Sequence, residues 1–126
     1  MDKQSIKKWI TESIDKSTIE FANDFGRKIA PTLTTSQIRV AFGEMRRIQM
    51  NGFKNQKTDF LLLKPKLAYA VKRHNKPGLA DFFNLFVAAS DNVNMTDDIL
   101  GEKHFKNLMD LMEAVLAYHK YHGGKE

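Results

Sequence analysis

Apolar residues recur along the chain at steps of three and four, the spacing that one face of an α-helix produces. No segment shows the sustained alternation of apolar and polar residues that is typical of a half-buried strand. The pattern therefore predicts an all-α protein, a small bundle of five to six helices. The predicted helices cover approximately residues 3–13, 17–30, 34–51, 58–74, 79–90 and 102–121.

Capping and turn residues mark the ends of these helices. Residues 17–20 and 34–37 each have the form of a capping box, in which side chains bind the free N–H groups of the first helical turn. We expect Thr58 or Asp59 to cap the fourth helix. Pro65 lies inside that helix, so it is expected either to kink the helix or to restart it.

Length and composition fit one helical domain that spans residues 1–126. There is no cysteine, which excludes disulfides, thiol catalysis and cysteine-based zinc sites. No apolar run approaches the length of a membrane span, and the first residues do not resemble a secretory signal. A cytoplasmic protein that does not bind membranes is the expectation.

The net charge of +5 is unevenly distributed. Residues 39–76 hold ten basic and two acidic residues, a net charge of +8, whereas residues 77–126 have a net charge of −4. A basic stretch of this size is the expected electrostatic signature of a protein that binds a polyanion. An exposed lysine-rich face with no ligand, or a face that binds an acidic protein or a membrane surface, remains an alternative.

Six residues of this basic stretch are the candidate nucleic-acid contacts. Arginine is favoured because its guanidinium group makes two parallel hydrogen bonds to a phosphate. The candidates are Arg39, Arg46, Arg47, Lys54, Lys66 and Arg73. Tyr69 lies in the same stretch and is expected to be a half-buried tyrosine of the bundle, with stacking on a base as the alternative.

The sequence contains few residue patterns that indicate catalysis. There is no glycine-rich phosphate loop, and Asp97 with Asp98 indicates a helix start and not a pair of catalytic carboxylates. His119 and His122 do not have the spacing of a known metal-binding helix, and His119 lies on an apolar stripe where a packed histidine is expected. We therefore expect no enzymatic activity, no metal and no cofactor. A stand-alone helical DNA-binding regulator and a structural protein-interaction module remain open at this point.

Three stretches resemble the small subunit of the type III-A CRISPR effector, the Csm complex. They are TSQIR at residues 35–39, LKPKLAYA at 63–70 followed by Arg73, and EAVLAYHK at 113–120 followed by GGK at 123–125. Their order and spacing cover about residues 17–125. Residues 1–15 carry no motif that matches.

The resemblance implies a non-catalytic helical bundle that acts in antiviral and plasmid defence. Several copies would stack into an inner filament of a ribonucleoprotein and contact the sugar–phosphate backbone of the duplex formed by guide RNA and target RNA. The implied partners are this RNA duplex, the backbone and large subunits of the effector, and other copies of the chain. RNA cleavage would belong to the backbone subunits. Carried over by motif, Arg39 and Arg73 are the implied RNA contacts, whereas the other four candidates depend on charge and helix position.

Overall fold

The computed structural model describes residues 2–124, and within this range the chain forms six α-helices, one 3-10 turn and no strand. The helices are α1 (Lys3–Thr11), α2 (Lys16–Ile29), α3 (Thr35–Asn51), α4 (Lys57–His74), α5 (Pro77–Ser90) and α6 (Asp98–Tyr121). The 3-10 turn (Phe53–Asn55) lies between α3 and α4. The predicted all-α bundle is confirmed. No helix in the described part of the chain is long and apolar enough to cross a bilayer.

Helix α6 is the longest helix, and α1, α2 and α3 all pack against it. The contact between α2 and α6 is the most extensive, because Gly26 presents no side chain at the crossing. A Cβ atom at Gly26 would lie 2.8 Å from backbone atoms of Tyr118 and His119. Helix α4 packs against α3 and α5, and α3 also packs against α6.

Aromatic side chains fill the core where the 3-10 turn meets α4 and α6. The ring centroids of Phe53 and Phe105 are 5.1 Å apart, and Phe60 contacts both rings at 5.4 and 5.5 Å. Each of these side chains is buried, and burial of one such ring contributes about 1.5–3 kcal/mol. This cluster fixes the connection between α3 and α4, and therefore the position of the basic segment.

The capping box predicted at residues 34–37 is confirmed. The Thr34 hydroxyl accepts from the Gln37 N–H, and the Gln37 amide oxygen accepts from the Thr34 N–H. The capping box predicted at residues 17–20 is wrong. Asp15 caps α2 instead, because its carboxylate accepts from the N–H groups of Ser17 and Thr18.

The predicted cap of α4 is also wrong. Thr58 and Asp59 both lie inside this helix, which begins at Lys57 after Gln56 without a side-chain cap. Pro65 lies within one continuous helix, so α4 does not restart there. Because proline has no backbone N–H, the Leu61 carbonyl lacks the hydrogen bond that residue 65 would otherwise donate to it. Leu61 and Pro65 are both exposed, so water can take the place of this donor.

Three other helix ends differ from the sequence prediction by two to four residues. Helix α1 ends at Thr11, two residues early. Helix α5 begins at Pro77 and not at residue 79, because proline suits the first helical position. Helix α6 begins at Asp98 and not at residue 102, and Asp97 caps it, which confirms the helix start indicated by this aspartate pair.

Candidate nucleic-acid interface

Helices α3 and α4 run antiparallel and enclose a narrow groove of about 160 Å³. Glu44 on α3 lies near Lys66 on α4, and Gln37 at the start of α3 and His74 at the end of α4 both line this groove. Val40 is 72% exposed along one wall. The two helices that carry most of the basic residues are therefore direct neighbours.

Lys66 is exposed on the α4 side of this groove, and Arg73 is exposed farther along the same helix. Seven residues separate them, so they differ by only about 20° around the helix axis. Tyr69 lies between them in sequence and is 67% exposed, so the expectation of a half-buried tyrosine is wrong. Two cations and an aromatic ring thus follow one side of α4, an arrangement suited to a phosphate backbone with an adjacent base. Lys66, Tyr69 and Arg73 form the α4 rim.

Arg39 and Arg46 lie on another side of α3. They are also seven residues apart, and they lie about 140–180° around the helix from Gln37, Ala41 and Glu44, which line the groove. The Arg46 guanidinium lies over the Phe42 ring, 5.2 Å from the ring centroid. Stacking of this kind orients the guanidinium and leaves its N–H groups available to other acceptors.

Arg47 is closely surrounded by carboxylates. Its guanidinium lies 3.0 Å from a Glu44 oxygen and 3.6 Å from an Asp59 oxygen, and it donates to the Gln56 amide oxygen at 3.3 Å. The hydrogen bond from Arg47 lowers the pKa of Glu44, and the same bond raises the pKa of Arg47. Both groups therefore stay charged near neutral pH, and the positive charge of Arg47 is largely offset locally.

Lys54 lies apart from the other candidates, in the 3-10 turn beside the start of α6. Its ammonium group is 4.0 Å from an Asp98 oxygen, and Lys57 binds the same carboxylate at 2.7 Å. The hydrogen bond from Lys57 is the main reason that the pKa of Asp98 is lowered. Lys57 also donates to the Met95 carbonyl at 3.0 Å, so it ties the α3–α4 connection to the segment before α6.

The structure therefore divides five of the six candidates among three places. Lys66 and Arg73 form the α4 rim with Tyr69, Arg39 and Arg46 lie on the far side of α3, and Lys54 lies beside α6. The sixth candidate, Arg47, lies between the first two sets. A single flat basic face is not formed, and a ligand that touches both helix sides has to curve around α3.

The histidines near the end of α6 take part in packing. His119 is fully buried, and its Nε2 donates to the Leu33 carbonyl, which confirms the packed histidine expected from the sequence. His122 Nε2 is 2.6 Å from the Asn23 amide oxygen. Residues 2–124 contain no group of three or more side chains arranged to hold a metal ion. Lys125, the last residue of the third resembling stretch, lies outside the described residues.

Comparison with known proteins identifies the family. The family model described as Csm2 Type III-A matches residues 12–125, nearly the whole chain apart from α1. The comparison with curated proteins found no match, and neither did the comparison with solved structures. The chain therefore belongs to the Csm2 Type III-A family and is a small subunit of the type III-A CRISPR effector.

Proposed function

We propose that this subunit is non-catalytic and contacts the backbone of the guide–target RNA duplex through the outer surfaces of α3 and α4. The observation that carries the proposal is the α4 rim, where exposed Lys66 and Arg73 flank exposed Tyr69 on one side of a helix. Phosphate contacts of this kind supply affinity without reading the sequence, which suits a complex whose specificity comes from base pairing. The family assignment favours this function over a stand-alone DNA-binding regulator.

Arg39 and Arg46 extend the proposed RNA surface around α3. The two arginines lie on one side of that helix, and the Arg46 guanidinium lies over the Phe42 ring. A curved surface of this kind suits a helical nucleic acid better than a flat acidic protein. Arg47 contributes less, because Glu44 and Asp59 already bind it.

The environments of the ionisable groups support a role without catalysis. Hydrogen bonds to the Ser5 side chain and to helix N–H groups lower the pKa of Asp2, and similar bonds to Ser17 and Thr18 lower the pKa of Asp15, as expected for caps. Burial lowers the pKa of His104, whose Nδ1 accepts from the Asn94 N–H at 3.1 Å. Each of these shifts accompanies a helix cap or a buried ring.

Several copies of the chain would stack head to tail in the effector. The division between a basic segment at residues 39–76 and an acidic segment at residues 77–126 supports this arrangement, since a basic surface of one copy attracts an acidic surface of the next. A head-to-tail contact does not close on itself, so it produces an open filament. A symmetric dimer whose stability does not depend on salt, detected by solution scattering, would count against this arrangement.

The RNA contact is tested in the reconstituted effector with the double variant Arg39→Ala/Arg73→Ala. Target-RNA binding should weaken, and the plot of log K against log salt should become shallower by about two units for each copy that contacts RNA. The matched control is Arg27→Ala/Lys106→Ala, which removes the same charge from exposed positions on α2 and α6. Equal affinity and equal slope for the two variants would show that Arg39 and Arg73 do not touch RNA.

A further inference from the structure

A second groove, of about 670 Å³, lies between α1, α4 and α5. Lys64 of α4 lines this groove and does not belong to the α4 rim. It is two positions before Lys66 in the sequence, which places the two side chains about 160° apart around the helix. The strongly basic segment therefore contributes to two separate surfaces. The groove between α1, α4 and α5 differs in composition from the α4 rim, and a different ligand is expected there.

Positive charge dominates the edges of this groove. Lys3 and Lys7 lie one turn apart on α1, and neither forms an ion pair with any residue in the range 2–124. Lys64 lies 3.8 Å from Asp91, and the side chains of both are more than half exposed. Three ammonium groups and one carboxylate thus face the groove, which favours an acidic occupant.

The floor of the groove is apolar. Phe83, Val87 and Ala88 of α5 line the groove, and all three are half-buried, so part of each side chain is open to it. A phosphate backbone has no apolar surface to place on such a floor, whereas an amphipathic helix does. The distance along α5 from Phe83 to Asp91 is about 12 Å, which accommodates roughly two turns of a helix.

We propose that this groove binds an acidic amphipathic helix of another subunit of the effector. Apolar side chains of that helix pack on Phe83 and Val87, and carboxylates spaced four residues apart pair with Lys3 and Lys7, which have the same spacing. The proposal depends on membership of the complex and not on RNA contact. Because the family match begins at residue 12, the α1 lysines lie outside the matched part of the chain.

The test is a site-specific cross-link in the reconstituted effector. A photoreactive p-benzoylphenylalanine replaces Asn84, which is exposed and lines the groove. The expected product joins the chain to another protein subunit, at a segment that peptide mapping shows to be acidic and amphipathic. Lys3→Glu/Lys7→Glu should lower the yield at least tenfold, whereas Lys8→Glu/Lys16→Glu, an equal charge change at exposed positions outside the groove, should leave it unchanged.

Several outcomes would overturn the proposal. These are a cross-link to RNA, a cross-link to a second copy of the chain, or no protein cross-link in an assembled complex. If the glutamate variant loses its far-ultraviolet circular dichroism, Lys3→Gln/Lys7→Gln provides a milder test with the same expected direction. Replacing the mapped carboxylates by lysine should restore the yield with Lys3→Glu/Lys7→Glu, and RNA affinity should remain unchanged, which separates this site from the α4 rim.

Discussion

The side-chain amide of Asn107 donates to the backbone carbonyl of Ile10 at 2.8 Å, across 97 positions of sequence. The same amide lies 3.3 Å from the Glu12 carbonyl. These carbonyls belong to the end of α1, where a helix leaves its last carbonyls without N–H partners. One buried residue of α6 therefore satisfies the C-terminus of α1 and holds that helix on the bundle.

Asn107→Leu is expected to lower the free energy of unfolding by about 1–3 kcal/mol, because it leaves a buried carbonyl without a donor. Urea denaturation followed by the fluorescence of Trp9, which is 4% exposed on α1, provides the measurement. Gln49→Leu, an equivalent change at an exposed position of α3, is the control and should stay within about 0.5 kcal/mol of the parent. Equal midpoints for the two variants would contradict this role of Asn107.

Two glycines in helices should respond in opposite directions to alanine. Gly26→Ala places a Cβ atom 2.8 Å from the backbone of α6 and should cost about 1–3 kcal/mol of stability. Gly43→Ala meets no atom within 4 Å in the described part of the chain and should add about 0.5–1 kcal/mol, because alanine is the better helix former. Thermal unfolding of both variants measures the difference, and a loss of stability in Gly43→Ala would be inconsistent with its open surroundings.

Stability should fall as the pH drops below about 6.5, the ordinary pKa of histidine. Burial lowers the pKa of His104 in the folded chain, with a smaller contribution from Lys103 in the same direction, and Asp97 opposes them. Below pH 6.5 the unfolded chain consequently binds more protons at this residue than the folded chain does, so acid favours unfolding. His104→Gln should flatten the dependence of unfolding free energy on pH between 7 and 5, and an unchanged dependence would exclude His104 as its source.

Release of Arg47 from its carboxylate partners should strengthen RNA binding. In Glu44→Gln/Asp59→Asn the guanidinium loses both ion pairs, and the salt dependence of binding should steepen by about one unit for each copy. Asp110→Asn/Glu113→Gln on α6 removes the same charge outside α3 and α4 and is the control. If both variants steepen the dependence equally, net charge and not Arg47 is responsible.

Helix positions were predictable from sequence where a helix carries its own local signals. The bounds of α3 agree with the prediction because the Thr34 cap and the glycine at position 52 both act within a few residues. The start of α4 was not predictable in this way. No side chain caps it, and the 3-10 turn with buried Phe53 sets its position through contacts with Phe60 and Phe105.

The sequence was sufficient to predict which basic residues belong to the candidate site, but not how they are placed relative to one another. The Arg47–Glu44 ion pair is a contact between residues three apart, which helical spacing already allows. The Arg47–Asp59 pair depends on how α3 packs against α4, and so does the exposure of Tyr69. Lys3 and Lys7 were missed because they lie far in sequence from Lys64, and only tertiary packing brings α1 beside α4.

The two basic surfaces share α4, and this has a consequence for genetics. A charge-reversal scan along α4 should yield two classes of phenotype that alternate with the helical period, since Lys64 and Lys66 point to opposite sides. If several copies stack in one effector as proposed, substitutions at neighbouring codons should complement each other when two defective copies are expressed in one cell. The two classes would be hidden if the substitutions were grouped by their position in the sequence. They would appear if the substitutions were grouped by the side of α4 on which they lie.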